Sequence, residues 1–98
     1  MVIYISGGIT NVLDYKRHFK KAERRLRKHF DVINPAKILS KMPKSTPYEV
    51  YMDMSLAMLK NSDLIYMLKN WNESRGACAE HGYALEHGIP IVYERKQH

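Results

Sequence analysis

The sequence is poor in cysteine, in long hydrophobic runs and in recognisable targeting signals. Its one cysteine, Cys78, excludes an internal disulfide and any zinc cluster built from several cysteines, and it fits a reducing compartment. No apolar run approaches the roughly 20 residues that a membrane-spanning helix requires. The first residues lack the basic stretch and cleavage site of a signal peptide. We therefore expect a cytoplasmic protein with no membrane contact.

Acidic residues are outnumbered, and the excess of positive charge is concentrated in one segment. The chain has 16 Lys and Arg against 10 Asp and Glu. Half of the basic residues lie where apolar residues recur at intervals of three and four, which predicts an amphipathic helix with a basic outer face. These residues are Lys16, Arg17, Lys20, Lys21, Arg24, Arg25, Arg27 and Lys28. A solvated helix surface with Glu23–Arg27 pairing is the simplest interpretation, and a phosphate-rich partner is the alternative.

With 98 residues the chain has room for one hydrophobic core, so we expect a single domain over residues 1–98. Its 45% hydrophobic and 27% charged residues are typical of a globular protein and exclude a disordered tail as its main identity. The five histidines show no metal-ligand spacing with an acidic residue, so we expect no metal site. No cofactor-binding fingerprint is present either.

The hydrophobic pattern predicts strands that alternate with helices. The predicted strands are residues 2–6, 31–34, 64–68 and 89–93, and the main helices are the basic helix with Asn11 as its cap, 48–61 and 74–87. Residues 36–47 are rich in lysine, serine and proline, which predicts a loop. This order indicates a three-layer α/β domain of the flavodoxin or Rossmann type, with a parallel sheet of about four strands. Ligands bind such sheets beyond the carboxyl ends of the strands, here near residues 6–9 and 69–76.

Two segments of this predicted fold are typical of a ligand-binding site. Gly7 and Gly8 follow the first strand and allow close approach of a ligand, although a plain tight turn explains them equally well. Glu80 lies in the last helix among small neighbours, which suggests crowding by backbone or ligand. The start of that helix, near Ser74, offers free N–H groups that suit a phosphate. A surface carboxylate is the alternative for Glu80.

Three motifs resemble the nucleoside 2-deoxyribosyltransferase-like family. They are Tyr4-Ile5-Ser6-Gly7-Gly8-Ile9, Asn61-Ser62-Asp63 before an apolar strand, and Ser74-x-Gly-x-x-x-Glu80-x-Gly-x-Ala84-x-x-x-Gly88-Ile-Pro-Ile. The resemblance covers nearly the whole chain. More narrowly, it is similar to the short members of unassigned function and to the 2'-deoxynucleoside 5'-monophosphate N-glycosidases. It implies the family's α/β fold and a homodimer or higher homo-oligomer in which neighbouring subunits help to complete the site.

The resemblance also implies roles for individual residues. It makes Glu80 the nucleophile that attacks C1' of a deoxyribose and forms a glycosyl–enzyme intermediate. Family transferases carry an aspartate where this chain has Ser74, whereas the monophosphate hydrolases carry serine. Together with Gly76, a serine accepts a phosphate that an aspartate would repel, so we expect a nucleoside monophosphate as the ligand. The residues that match the turn lining the base and sugar are Tyr4, Gly7, Gly8 and Ile9.

One position departs from the family pattern. The family's aspartate that assists the leaving base lies eight residues before the equivalent of Asp63, and this chain has Ser55 there. The nearest carboxylate, Asp53, lies about 200° away around an ideal helix. Either a local irregularity brings Asp53 into the site, or the base is protonated in another way, or hydrolysis has been lost and binding is kept.

Three functions remain open at this point. The first is an N-glycosidase or deoxyribosyltransferase-like enzyme acting on deoxynucleoside monophosphates without a cofactor. The second is a catalytically weak nucleotide-binding or sequestering protein on the same scaffold, motivated by Ser55. The third and least favoured is a nucleic-acid-binding module that uses the basic helix. Trp71 follows the third strand and is predicted either to stack on a base or to make a core or dimer contact.

Overall fold

The computed structural model describes residues 1–9 and 14–95. The elements along it are β1 Val2–Ser6, α1 Tyr15–Leu26, β2 Asp31–Ile33, α2 Pro35–Leu39, α3 Tyr48–Lys60, β3 Leu64–Met67, α4 Arg75–His87 and β4 Ile91–Tyr93, with a short 3₁₀ turn at Trp71–Glu73 before α4. The predicted cap Asn11 lies outside the described residues. In the two described ranges, no helix is both long and apolar enough to cross a membrane.

The four strands form one parallel sheet in the order β2-β1-β3-β4. One face of β1, with Ile3 and Ile5, packs against Phe19 of α1. The opposite face, with Tyr4, packs in the same cluster as Leu59 of α3. The helices therefore change sides between β1 and β3, and a crevice is expected beyond the carboxyl ends of strands at such a point. This architecture confirms the predicted α/β fold.

The prediction of a loop over residues 36–47 is wrong at its start, where α2 forms. The Asn34 side chain accepts a hydrogen bond from the Lys37 N–H at 3.2 Å and so caps the helix. Pro35 occupies the first helical position, where a missing N–H costs nothing. Ala36 and Leu39 of this short helix are buried. The proline that marks the end of β2 thus also begins α2.

The predicted bounds of the last helix are confirmed by its caps. The Ser74 Oγ accepts a hydrogen bond from the Ala77 N–H at 3.2 Å. Gly88 ends the helix with a left-handed φ of 68°, which favours glycine. Ala77 and Ala84 are buried against the sheet, so small side chains bring α4 close to β1 and β3.

The basic face of α1 is solvent-exposed along its length, as the periodicity predicts. The predicted pair forms, since the Arg27 guanidinium donates to a Glu23 carboxylate oxygen at 2.7 Å. Phe19 and Ala22 are buried on the opposite face of the helix. The basic side chains of α1 therefore surround one buried apolar stripe, and among them Arg25 donates to the Tyr66 hydroxyl on the sheet.

Gly7 lies where the backbone after β1 passes very close to Leu68. A Cβ at this position would lie 2.8 Å from Leu68 Cδ1 and 2.9 Å from Leu68 Cβ. The Leu68 N–H donates to the Ser6 carbonyl at 2.8 Å, which holds the two chain segments together. Only glycine fits between them without moving the backbone, because Cβ of Leu68 cannot rotate away.

We predict that Gly7→Ala lowers the free energy of unfolding by about 1–3 kcal/mol through this overlap. Gly82→Ala is the matched control, because no atom lies within 4 Å of its added Cβ and alanine favours helix. The control should be neutral or stabilise by up to about 1 kcal/mol. Urea unfolding followed by circular dichroism measures both changes, and a Gly7→Ala protein as stable as the parent would contradict the prediction.

Candidate active site

A cavity of about 450 Å³ opens beyond the carboxyl end of β1, between α2, α3 and the start of α4. Six of the residues predicted from the sequence line it: Gly7, Ile9, Ser55, Ser74, Gly76 and Glu80. They come from the turn after β1, from α3 and from the first two turns of α4. Gly8 is half-buried between two of these lining residues. Residues far apart in the chain thus meet in one cavity.

Glu80 lies buried in the wall of this cavity, with both carboxylate oxygens held by hydroxyl groups. Its exposed fraction is 6%. The Ser6 hydroxyl donates to Oε1 at 2.6 Å, and the Tyr4 hydroxyl donates to Oε2. Tyr4 and Ser6 lie two residues apart on β1, so both side chains point to the α4 side of the sheet. The carboxylate is therefore fixed in position by the strand opposite it.

Burial changes the proton affinity of this group. Desolvation raises the pKa of Glu80 to about 7, while the hydrogen bonds from Ser6 and Tyr4 oppose the rise. Burial, and then the charge of Glu80, raise the pKa of Tyr4 well above its usual range, so its hydroxyl stays protonated and donates. Glu80 is therefore in part protonated at neutral pH. Its ionised form is a poorly solvated carboxylate with two fixed donors, which is suited to act as a nucleophile.

Of the two α3 candidates from the sequence, Ser55 lines the cavity and Asp53 does not. Ser55 has an exposed fraction of 4%, and its hydroxyl lowers the pKa of Tyr4. Asp53 is exposed on α3 and is not part of the described wall. The helix runs without a break from Tyr48 to Lys60. The local irregularity that would bring Asp53 into the site does not occur, because a regular helix turns it away.

The structure does not place Trp71 in the wall of this cavity. Its ring stacks on His81 with the ring centroids 4.1 Å apart. It also packs against the core on the side of the sheet covered by α3 and α4. The geometry corresponds to the packing contact and not to stacking on a base in this cavity.

The described wall of the cavity carries more positive than negative charge. Lys16 and Lys44 line it, and the Arg75 guanidinium lies 4.4 Å from the ring centroid of Tyr48, which is also a lining residue. Ser74, at the amino-terminal end of α4, lines the cavity as well, and the positive end of the helix dipole adds to these charges. Glu80 is the one acidic side chain in the described wall. This arrangement suits a small anionic molecule whose reactive atom lies near Glu80.

No role in the site was predicted from the sequence for three residues that contribute to it: Ser6, Lys16 and Lys44. The alternation along β1 was a usable signal for Ser6, because it places Ser6 on the same face as Tyr4. No local signal distinguishes Lys16 or Lys44 from the other basic residues. Met52 also lines the cavity, and its sulfur lies 3.5 Å from where a Cβ of Gly76 would be.

The raised pKa of Glu80 predicts a pH-dependent stability. Between its ordinary value of 4.5 and about 7, the folded protein keeps a proton that the unfolded chain releases. The free energy of unfolding therefore falls as pH rises through this window, by up to about 3 kcal/mol for this group. Glu80→Gln cannot ionise, so it should lose this part of the pH dependence and be the more stable protein at pH 8.

Urea unfolding at pH 5 and pH 8 measures the effect as the difference between parent and variant. Glu86→Gln provides an exposed glutamate on the same helix as the control. The same pH dependence in the parent and in Glu80→Gln would show that the buried carboxylate does not ionise as described.

Comparisons with known proteins agree with this fold. No curated protein matches the chain. Among solved structures, a 2-deoxyribosyltransferase from the psychrotolerant bacterium Bacillus psychrosaccharolyticus is similar, with a TM-score of 0.76 and 20% identity over 99% of this chain and 77% of that chain. The likeness shows a fold like that of a nucleoside deoxyribosyltransferase. Residues 1–93 match the model of DUF4406, a domain of unknown function, and the chain therefore belongs to the DUF4406 family.

Proposed function

We propose that this protein cleaves the N-glycosidic bond of 2'-deoxynucleoside 5'-monophosphates, with Glu80 as the nucleophile. The observation that carries the proposal is the buried Glu80 carboxylate, held by Tyr4 and Ser6 in a cavity that Lys16 and Lys44 also line. The fold likeness to a 2-deoxyribosyltransferase supports a deoxyribose as the sugar.

The proposed reaction has two steps at C1' of the sugar. A Glu80 oxygen attacks C1', the C1'–N bond breaks, and the base leaves with the electron pair and takes a proton from water. Water then attacks C1' of the glycosyl ester, gives its proton to solvent, and releases 2-deoxyribose 5-phosphate and the free carboxylate. A second base in place of water would make the reaction a transfer. The carboxylate stabilises the oxocarbenium-like transition state, and Tyr4 and Ser6 fix its geometry beforehand.

The basic residues of the cavity support a phosphate on the substrate. Ser74 Oγ accepts the Ala77 N–H and keeps its own proton to donate to a phosphate oxygen. Lys44 lines this cavity, and the guanidinium of Arg75 is held over the ring of Tyr48, another lining residue. An anion is favoured there by several charges at once, whereas an uncharged 5'-hydroxyl would gain little from them.

A second function, binding of the same nucleotide without cleavage, is favoured by one observation. Ser55 stands at the cavity wall where the family's aspartate is expected, and Asp53 is turned away from it. Loss of an acid catalyst for the leaving base typically removes about 10²- to 10⁴-fold in rate. A protein built in this way would bind the nucleotide tightly and release base slowly or not at all.

Incubation with deoxynucleoside and ribonucleoside monophosphates, followed by chromatography of free base, tests the proposal. We expect base release from a deoxynucleoside monophosphate and a loss of about 10³-fold or more in Glu80→Gln, because the nucleophile is removed. The corresponding free nucleosides are the matched substrates without phosphate, and they should react more slowly. Nucleotides that are bound tightly but recovered intact would favour the second function. Absence of both binding and cleavage would contradict both proposed functions.

A further inference from the structure

A second cleft lies on the α1 side of the sheet, between α1 and β4. Its volume is about 330 Å³. Tyr66 of β3 and Val92 of β4 are register neighbours and form its floor. Val92 is 43% exposed, so α1 does not cover this part of the sheet. In the described part of the chain this cleft shares no lining residue with the Glu80 cavity.

Four cationic side chains from separate segments surround this second cleft. α1 contributes Lys21 and Arg25, Lys69 follows β3, and Arg95 follows β4. The acidic residue among the described lining residues is Glu94. Four positive charges therefore face one negative charge in a concave surface, and this excess attracts anions.

The structure holds part of this charge cluster in place. The Arg25 guanidinium donates to the Tyr66 hydroxyl at 2.5 Å and lies 3.7 Å from Glu94. The other Glu94 oxygen accepts the backbone N–H of Lys69 at 2.9 Å. Glu94 thus ties the end of β3 and Arg25 together. About half of the Arg25 side chain stays exposed, which leaves guanidinium donors for a ligand.

We propose that this cleft is a second anion site, separate from the Glu80 cavity, for a ligand that carries two or more phosphate groups. Such a ligand is either a small polyphosphate or the backbone of a nucleic acid. A planar guanidinium matches phosphate oxygens in a two-pronged hydrogen bond, and the flanking lysines add charge without fixed geometry. One carboxylate would use only part of this charge, whereas consecutive phosphates engage several cations at once.

Sodium tripolyphosphate is the first probe, with binding measured by calorimetry. Lys69→Glu/Arg95→Glu reverses two exposed cleft charges. Lys37→Glu/Lys60→Glu makes the same change in net charge at two exposed positions outside the cleft and is the matched control. We expect at least about tenfold weaker binding in the cleft variant and a change of less than about twofold in the control.

One further variant separates this cleft from the Glu80 cavity. Ser74→Asp adds a negative charge to the wall of the Glu80 cavity and should weaken phosphate binding only there, so the tripolyphosphate binding that Lys69→Glu/Arg95→Glu weakens should persist in it. Loss of binding in Ser74→Asp, equal losses in the two double variants, or no binding by the parent would each overturn the proposal. Circular dichroism verifies that each variant is folded before binding is measured.

A short fluorescein-labelled DNA duplex distinguishes the two sources of phosphate. If the cleft takes a nucleic acid, the parent binds the duplex with a steep salt dependence, and Lys69→Glu/Arg95→Glu lowers the slope of log K against log salt by about two. If the charge reversal in the cleft variant leaves duplex binding unchanged but still weakens tripolyphosphate binding, the ligand is a small polyphosphate. Both results support an anion site in this cleft.

Discussion

The candidate active site is organised around one buried carboxylate, that of Glu80, which accepts hydrogen bonds from two hydroxyl groups of β1. A buried carboxylate is costly unless its oxygens are hydrogen-bonded, and here each oxygen has a donor. The arrangement requires that β1 present Tyr4 and Ser6 to α4, and that α4 lie close enough for contact. Alanines at the buried face of α4 provide that closeness. The energetic cost that remains is visible in the raised pKa of Glu80.

Sheet order decides what surrounds this carboxylate. Because the helices change sides between β1 and β3, α1 and α4 pack on opposite faces of the sheet and leave a cavity beyond the end of β1. The same order places β4 beside β3, which brings Lys69 and Arg95 next to the basic face of α1. One topology therefore creates two separate concave surfaces, one on each side of the sheet. The first contains a reactive carboxylate, and the second contains an excess of positive charge.

Much of this could be predicted from local sequence. Strand β1 and the ends of α4 follow directly from apolar runs, from Ser74 and from Gly88, because caps and buried strands are encoded by neighbouring residues. α2 was missed because Pro35 ends one element and begins the next. These two roles of a proline have the same sequence signal, and only the Asn34 cap separates them.

The contacts within the site could be predicted only in part. Ser6 and Glu80 lie 74 residues apart, so their contact follows from the packing of α4 on the sheet and not from any local pattern. The choice between Asp53 and Ser55 was open in the sequence, since either outcome needed the actual course of α3. The position of Trp71 likewise depends on its stacking against His81.

A covalent trap tests the role of Glu80 most directly. A 2'-fluoroarabinosyl nucleoside 5'-monophosphate carries an electron-withdrawing fluorine that slows breakdown of a glycosyl–enzyme ester. After incubation and proteolysis, mass spectrometry should find the fluorinated sugar phosphate attached to Glu80, and the Glu80→Gln protein should carry none. Release of base with Glu80 unmodified, or an adduct on a different residue, would contradict the assignment of Glu80 as the nucleophile.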